Sequence, residues 1–141
     1  MAFIFIFTLL LMFSMVNANP GSQRCKNSTS QLDLDLINVN FDPPKPGDVY
    51  ISFNTQWDFK KNYTTLNTEL IFIITLYDFD NPWQTSSSFQ DFTPGLNKIY
   101  RWDKVGIIYG LGFLNHTIEV ILIDDHYIFG CTLFDRRMDW R

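Results

Sequence analysis

Apolar and polar positions alternate along most of the chain. Leu32, Leu34 and Leu36 are separated by Asp33 and Asp35; the phase then slips, and Ile37, Val39 and Phe41 take over the apolar positions. Alternation with period two puts one face of a strand inside and the other in water, and a one-residue slip marks a β-bulge. Pro43-Pro44-Lys45-Pro46-Gly47 ends this strand, because proline cannot donate to a ladder. Residues 49–53 form the next strand, and Lys60-Lys61-Asn62-Tyr63 is a polar turn. Residues 70–77 are apolar at both parities, the pattern of a strand covered on both faces. Residues 78–95 contain Asn81-Pro82, Ser86-Ser87-Ser88 and Pro94-Gly95 and read as one long connection. A short strand over residues 98–102 follows. Strands over 117–123 and 127–134 are joined by the turn Asp124-Asp125-His126. No window sustains a 3.6-residue period. The prediction is an all-β fold: an immunoglobulin-like antiparallel β-sandwich of two sheets.

The start of the chain has a different pattern. Residues 2–12 are almost unbroken apolar, and the small-residue site Val16-Asn17-Ala18 follows. This is the layout of a signal peptide over residues 1–18, although the usual basic residue near the start is missing. The alternative is a membrane anchor, but the run is shorter than the roughly 20 residues that span a bilayer. Residues 19–141 then form a single domain, expected to be secreted or in an endolysosomal lumen. Sequons at Asn27, Asn62 and Asn115 fit that compartment as N-glycosylation sites and predict exposed backbone there. An oxidising lumen favours a bridge between Cys25 and Cys131; two buried free thiols are the alternative. Two Cys and two His without ligand spacing argue against a zinc site.

Charge and chemistry narrow the function. The formal net charge is −4, and the 11 Lys and Arg residues are scattered, which argues against nucleic acid and against a polybasic membrane footprint. Nucleophilic catalysis wants a nucleophile beside a base. The histidines offer little: His116 lies within a sequon and is expected at the surface, and His126 sits in a hairpin turn. Asp124-Asp125 lacks the spacing of a calcium loop. Asp33/Asp35 and Asp78/Asp80 read as a solvated strand face and loop caps. Gly106, Gly110 and Gly112 make no phosphate loop, because no Gly-Lys-Ser/Thr follows. No catalytic residue, cofactor or metal is expected.

Two features remain. Phe occurs 14 times, more than one small packed core needs, and residues 105–114 carry no charge across a glycine-punctuated apolar run. That run reads either as a core strand with a turn or as an apolar lip over a cavity. In the second reading the sheets enclose an apolar cavity lined by Phe53, Phe72, Ile74, Leu76, Val120, Leu122 and Phe129, with Ile71 and Ile73 as substitutes. Its mouth is formed by Ile108, Tyr109 and Phe113 with Tyr100 and Trp102 beside them.

The order of motifs resembles the ML lipid-recognition family of secreted β-sandwiches. Leu34-Asp35-Leu36-Ile37-Asn38-Val39-Asn40-Phe41-Asp42-Pro43-Pro44-Lys45-Pro46-Gly47 is similar to that family's first strand and Pro-Pro-x-x-Gly turn, and residues 49–53 to the strand after it. Thr93-Pro94-Gly95-Leu96 looks like its Cys-Pro-Leu segment, with Thr93 in place of a cysteine. Residues 118–125 and 128–134 resemble its closing hairpin, which carries a cysteine on the last strand. The resemblance spans nearly all of residues 19–141, but the two further disulfides usual in the family are missing. It implies a Cys25–Cys131 pairing and a sterol, phospholipid or glycolipid chain held between the sheets, with transient membrane contact and no covalent chemistry. The rival expectation is an extracellular interaction module, receptor-binding or adhesive, with a filled core.

Overall fold

The computed structural model describes residues 22–23, 25, 36–60, 62–125 and 127–136. The expected signal peptide, the Asn27 sequon, the alternation over residues 32–35 and His126 lie outside these residues. Eight strands follow in chain order: β1 (Ser22–Gln23), β2 (Asn38–Phe41), β3 (Tyr50–Asp58), β4 (Thr68–Leu76), β5 (Trp83–Phe89), β6 (Lys98–Gly106), β7 (His116–Asp124) and β8 (Tyr127–Asp135). A 3-10 turn, Leu111–Phe113, lies between β6 and β7. All pairings are antiparallel. One sheet runs β1-β8-β7-β4-β5, the other β2-β3-β6. The chain is an all-β sandwich, as its alternation predicts.

Each sheet follows from its sequence parity. In β3, Ile51, Phe53 and Thr55 are buried while Ser52, Asn54 and Gln56 are not. In β4 every second residue from Thr68 to Leu76 is buried, and the residues between are half-buried. The expectation that β4 is covered on both faces is therefore corrected: Ile71 and Ile73 lie on the partly open outer face. The β2–β3 connection is a tight turn. Asp48 Oδ2 accepts from the Lys45 amide at 2.6 Å, the Asp48 amide donates to the Lys45 carbonyl at 3.1 Å, and Gly47 supplies a φ of 91°.

Two further expectations change. Residues 78–95 are not one connection, because they contain β5. This strand, Trp-Gln-Thr-Ser-Ser-Ser-Phe, pairs only with β4 and forms an edge, where small polar residues suffice because no second neighbour packs against it. The strand expected at residues 98–102 continues to Gly106, where β3 pairs with it from end to end. In β8 the register slips opposite Leu122 and Ile123: Gly130 faces Leu122 and Ile128 faces Ile123. Phe129 is thus the extra residue of a bulge and turns toward Phe59, with ring centroids 5.1 Å apart.

Cys25 and Cys131 form the disulfide, with Cα atoms 5.6 Å apart. Cys131 lies on β8 of the larger sheet, two residues from the Gln23–Leu133 pair, and Cys25 lies two residues after Gln23, so the bridge ties the β1 side to β8 within the larger sheet. It does not clamp the two sheets together. Cross-linking residues 106 apart in sequence restricts the unfolded chain strongly. Replacing both cysteines by serine is expected to lower unfolding free energy by about 2–5 kcal/mol, read as a lower urea midpoint in equilibrium denaturation.

Candidate functional site

The inner faces of the sheets meet in a column of aromatic rings. Phe134 on β8 stands edge-on to Phe41 on β2, centroids 4.8 Å apart. Phe41 neighbours Phe53 at 5.0 Å, and Phe53 neighbours Phe72 on β4 at 4.6 Å. Phe72 continues edge-on to Phe89 on β5 at 5.8 Å. These are the offset and edge-to-face spacings that aromatic pairs favour. Ile74, Leu76, Val120 and Leu122 complete the larger sheet's inner face and are all buried. Six of the seven residues expected to line a cavity therefore face the space between the sheets, and Phe129 packs against that core half-buried. They are in mutual contact, so the interior is closed. Phe41 and Phe134, the two rings that link β2 to β8, are not among the expected cavity residues, although alternation already places Phe41 at an apolar position of its strand.

The interior is not wholly apolar. On the β6 side, Arg101 and Asp103 point inward at the register positions opposite Thr55 and Phe53. Asp103 accepts two bonds from the Arg101 guanidinium, from Nε at 3.1 Å and Nη2 at 2.7 Å, and Asp91 accepts a third at 2.8 Å. Asp103 is 3% exposed and Arg101 15%, whereas Asp91 stands in solvent. Its hydrogen bonds to Asp103 and then Asp91 hold the guanidinium proton more tightly than usual, and the bond from Arg101 lowers the Asp91 carboxyl below its ordinary value. The guanidinium also stacks over Phe92 at 4.5 Å and faces Phe89 at 5.8 Å. This group closes the edge where β5 and β6 face each other. Beside it the Thr55 hydroxyl is buried with no hydrogen-bond partner. No sequence pattern joins Asp91, Arg101 and Asp103, because the pairing depends on β5, which sequence reading missed.

At one end of the sandwich three connections brace one another. The Ile107 amide donates to the Val49 carbonyl at 3.0 Å, linking the β6–β7 and β2–β3 connections. The Tyr77 amide donates to the Asn115 carbonyl at 2.9 Å, and Asp78 accepts from both the backbone and the side-chain amide of Asn115, linking the β4–β5 connection to the start of β7. A Cβ on Gly112 would collide with the Pro44 carbonyl oxygen, so only glycine fits that approach. Residues 105–114 divide between the two readings. Val105 and Leu111 are core, while Ile108 is half-buried and Tyr109 and Phe113 are 79% and 68% exposed. Val49 and Phe79 on the neighbouring connections are also exposed.

Tyr100 and Trp102 do not join this end. They lie on the outer face of β6, and Tyr100 is about 20 Å along the strand from Gly106 at 3.3 Å per residue. His116, expected at the surface, is instead buried, because β7 begins there against Leu76 of β4. Its Nδ1 lies 2.7 Å from the Leu114 carbonyl, and its Nε2 has no partner. Of the sequons, Asn62 is exposed, and it borders a pocket of about 670 Å³ with Tyr63, Tyr127 and Ile128 at the opposite end. The Asn115 amide nitrogen is engaged by Asp78 at 2.5 Å. Asp124 is buried and accepts from the hydroxyls of Thr65 and Thr68, a structural pin for the β3–β4 connection. Cys25, Glu119 and Cys131 cluster closely, but both sulfurs belong to the disulfide, so no metal site results. Among the described residues no helix is long and apolar enough to cross a membrane. No family model, curated protein or solved structure matches the chain.

Asp103→Asn leaves Arg101 with one exposed carboxylate and is expected to lower unfolding free energy by about 2–3 kcal/mol, the cost of losing buried bonds to a charged group. Asp91→Asn, at the exposed arm, should change it by less than about 1 kcal/mol in the same denaturation assay. Burial depresses the His116 pKa below its ordinary 6.5. The unfolded chain therefore binds this proton first, and stability present above pH 6.5 is lost as pH falls toward the folded value. Melting curves from pH 7.5 to 5 should show the wild type losing more stability than His116→Gln. Burial raises the Glu119 pKa, and Glu119 acts in the opposite sense, but both proteins share it, so the difference isolates the histidine.

Proposed function

We propose that this protein binds and carries a lipid, a sterol or an acyl chain of a phospholipid or glycolipid, between its two sheets. The observation that carries the reading is that no ladder joins the two sheets. Among the described residues no strand of one sheet pairs with a strand of the other, and the disulfide lies within the larger sheet. Parting them along the β5–β6 edge breaks no ladder and exposes an apolar slot lined by Phe53, Phe72, Ile74 and Leu76. Burying a ligand's apolar surface at about 25 cal/mol per Å² offsets the lost contacts. The unpartnered Thr55 hydroxyl and the inward-facing Arg101–Asp103 pair supply the few polar groups that orient a ligand in an apolar site. The exposed Val49, Phe79, Tyr109 and Phe113 give the braced end an apolar tip for contact with a membrane.

A second reading, an extracellular interaction module with a filled core, is favoured by the contact between Phe53 and Phe72. Native mass spectrometry after mild purification separates the two. The carrier reading expects a bound lipid mass that organic extraction removes and that phospholipid or sterol vesicles restore. A mass equal to the bare chain plus its glycans, with no uptake from either vesicle, would contradict it. Ile108→Asp with Phe113→Asp tests the tip. Unpaired charge beside hydrocarbon is costly, so uptake from vesicles should slow at least tenfold while the chain stays folded, with a lower melting temperature because Ile108 is half-buried. A folded variant that loads at the wild-type rate would move the entry point elsewhere. An unfolded one would assign Ile108 to the core, and Phe113→Asp alone, at an exposed position, would then carry the test.

A further inference from the structure

The outer face of the smaller sheet has a composition that neither reading uses. Strand parity sends Asn38 and Asn40 of β2, Ser52, Asn54 and Gln56 of β3, and Tyr100 and Trp102 of β6 to this side. Register aligns them in two rows. Asn38, Gln56 and Tyr100 lie abreast, as do Asn40, Asn54 and Trp102. Each row holds two amides and one ring. Strands are about 4.8 Å apart and same-face neighbours about 6.6 Å, so the two rows sit side by side. Tyr100 and Trp102 are 65% and 66% exposed.

The rows are uncharged. Charges of both signs flank them: Lys60, Lys98 and Asp58 border the Gln56–Tyr100 row, with Lys98 3.5 Å from Asp58, and Lys104 Nζ sits 4.8 Å above the Tyr50 ring beyond the Trp102 row. The two rows themselves offer an anionic polymer no cation, so what is read there is hydrogen bonding and ring contact. A purely apolar partner would bury amides without partners, at a cost in free energy. The amides are also loosely engaged. Asn38 to Gln56 and Asn54 to Tyr100 are both 3.5 Å contacts, at the weak limit of hydrogen bonding, whereas the Asn54 Oδ1 is covered and faces away from a ligand, which leaves the Asn54 Nδ2 and the Asn38 and Gln56 amides for it. A side-chain amide offers a donor and an acceptor together, which matches neighbouring hydroxyls on one ring. The electron-rich face of an aromatic ring attracts polarised C–H groups. A ligand that presents a flat C–H face for Tyr100 and Trp102 and equatorial hydroxyls for the amides beside them is an uncharged pyranose chain.

We propose that this face is a binding site for a neutral oligosaccharide, with one sugar stacked on Trp102, its neighbour on Tyr100, and Asn54 and Gln56 hydrogen-bonding their hydroxyls. The site lies on the opposite side of the sheet from the inter-sheet slot and stands whether or not the protein carries lipid.

The test is titration of the glycosylated protein with four neutral hexasaccharides, cellohexaose, laminarihexaose, mannohexaose and N-acetylchitohexaose, followed by calorimetry and tryptophan fluorescence. At least one should bind with a Kd of about 1 mM or below and shift the emission. Trp102→Ala and Tyr100→Ala should each weaken that binding at least tenfold with an unchanged melting temperature, since both side chains are exposed, and Asn54→Ala should weaken it less. No binding of any of the four at about ten times that Kd would overturn the proposal. So would binding that survives Trp102→Ala. Sedimentation that finds a dimer, made monomeric by Trp102→Ala, would assign the face to self-association and overturn it as well.

Discussion

Everything in this sandwich depends on the contact between two inner faces that share no ladder. Within each sheet, hydrogen bonds run strand to strand. Between the sheets, the ring column from Phe134 through Phe41, Phe53 and Phe72 to Phe89 replaces them. One directional bond reinforces it, from the Thr132 hydroxyl of β8 to the Ile37 carbonyl at 2.6 Å, and it sits on the β2–β8 side. The opposite side, between β5 and β6, relies on Arg101 stacked on Phe92 and held by Asp103 and Asp91. Apolar contact is non-directional and scales with area, so it can re-form against a different apolar surface. A ladder cannot do so. This asymmetry makes the β5–β6 side the natural line of separation and links the packing of the protein to the lipid-carrier reading.

The braced end extends the same logic. Its three connections are tied by backbone bonds from Ile107 and Tyr77 and by Asp78 on Asn115, which fixes their frame. Side chains that add nothing to that frame, Tyr109 and Phe113 among them, point into water. The buried, unpaired His116 Nε2 lies behind this frame, so protonation there weakens the end from inside. The outer face of β2-β3-β6 is independent of all this. Its amides and rings rest on strands whose inner side is core, which gives them a rigid backing.

Much of the fold was legible in the sequence, because a half-buried strand must alternate. Ile37, Val39 and Phe41, the β3 pattern around Phe53, and the closing β7–β8 hairpin all carry that signature. The compartment argument also led to Cys25 and Cys131, which pair. Other features were hidden for physical reasons. An edge strand such as β5 has a single partner and keeps a polar surface, so Ser86, Ser87 and Ser88 resembled a loop. A sequon constrains its asparagine and not the next residue, so His116 was misplaced. Tyr100 and Trp102 are near the 105–114 run in sequence, but a strand carries them along its length and parity turns them outward. The β8 bulge breaks simple alternation at Phe129, while Phe134 keeps the inward parity and forms the β8 end of the column. The Arg101 cluster joins residues from β6 and the β5–β6 connection, which no local pattern links.

The separation of the sheets is open to direct measurement. Spin labels at Ser88 on β5 and Lys104 on β6, both exposed, flank the β5–β6 edge and leave the ring column intact. Pulsed electron–electron distance measurements on extracted protein and on protein reloaded from phospholipid vesicles would report the gap between the sheets. The expected result is one short, narrow distance distribution after extraction and a longer one after loading, with a control pair inside the larger sheet, Ser88 and the exposed Tyr127 three strands away, unchanged. Lipid bound at full occupancy with the Ser88–Lys104 distance unaltered would contradict the opening of this edge, and with it the idea that the two sheets are joined by side chains so that they can part.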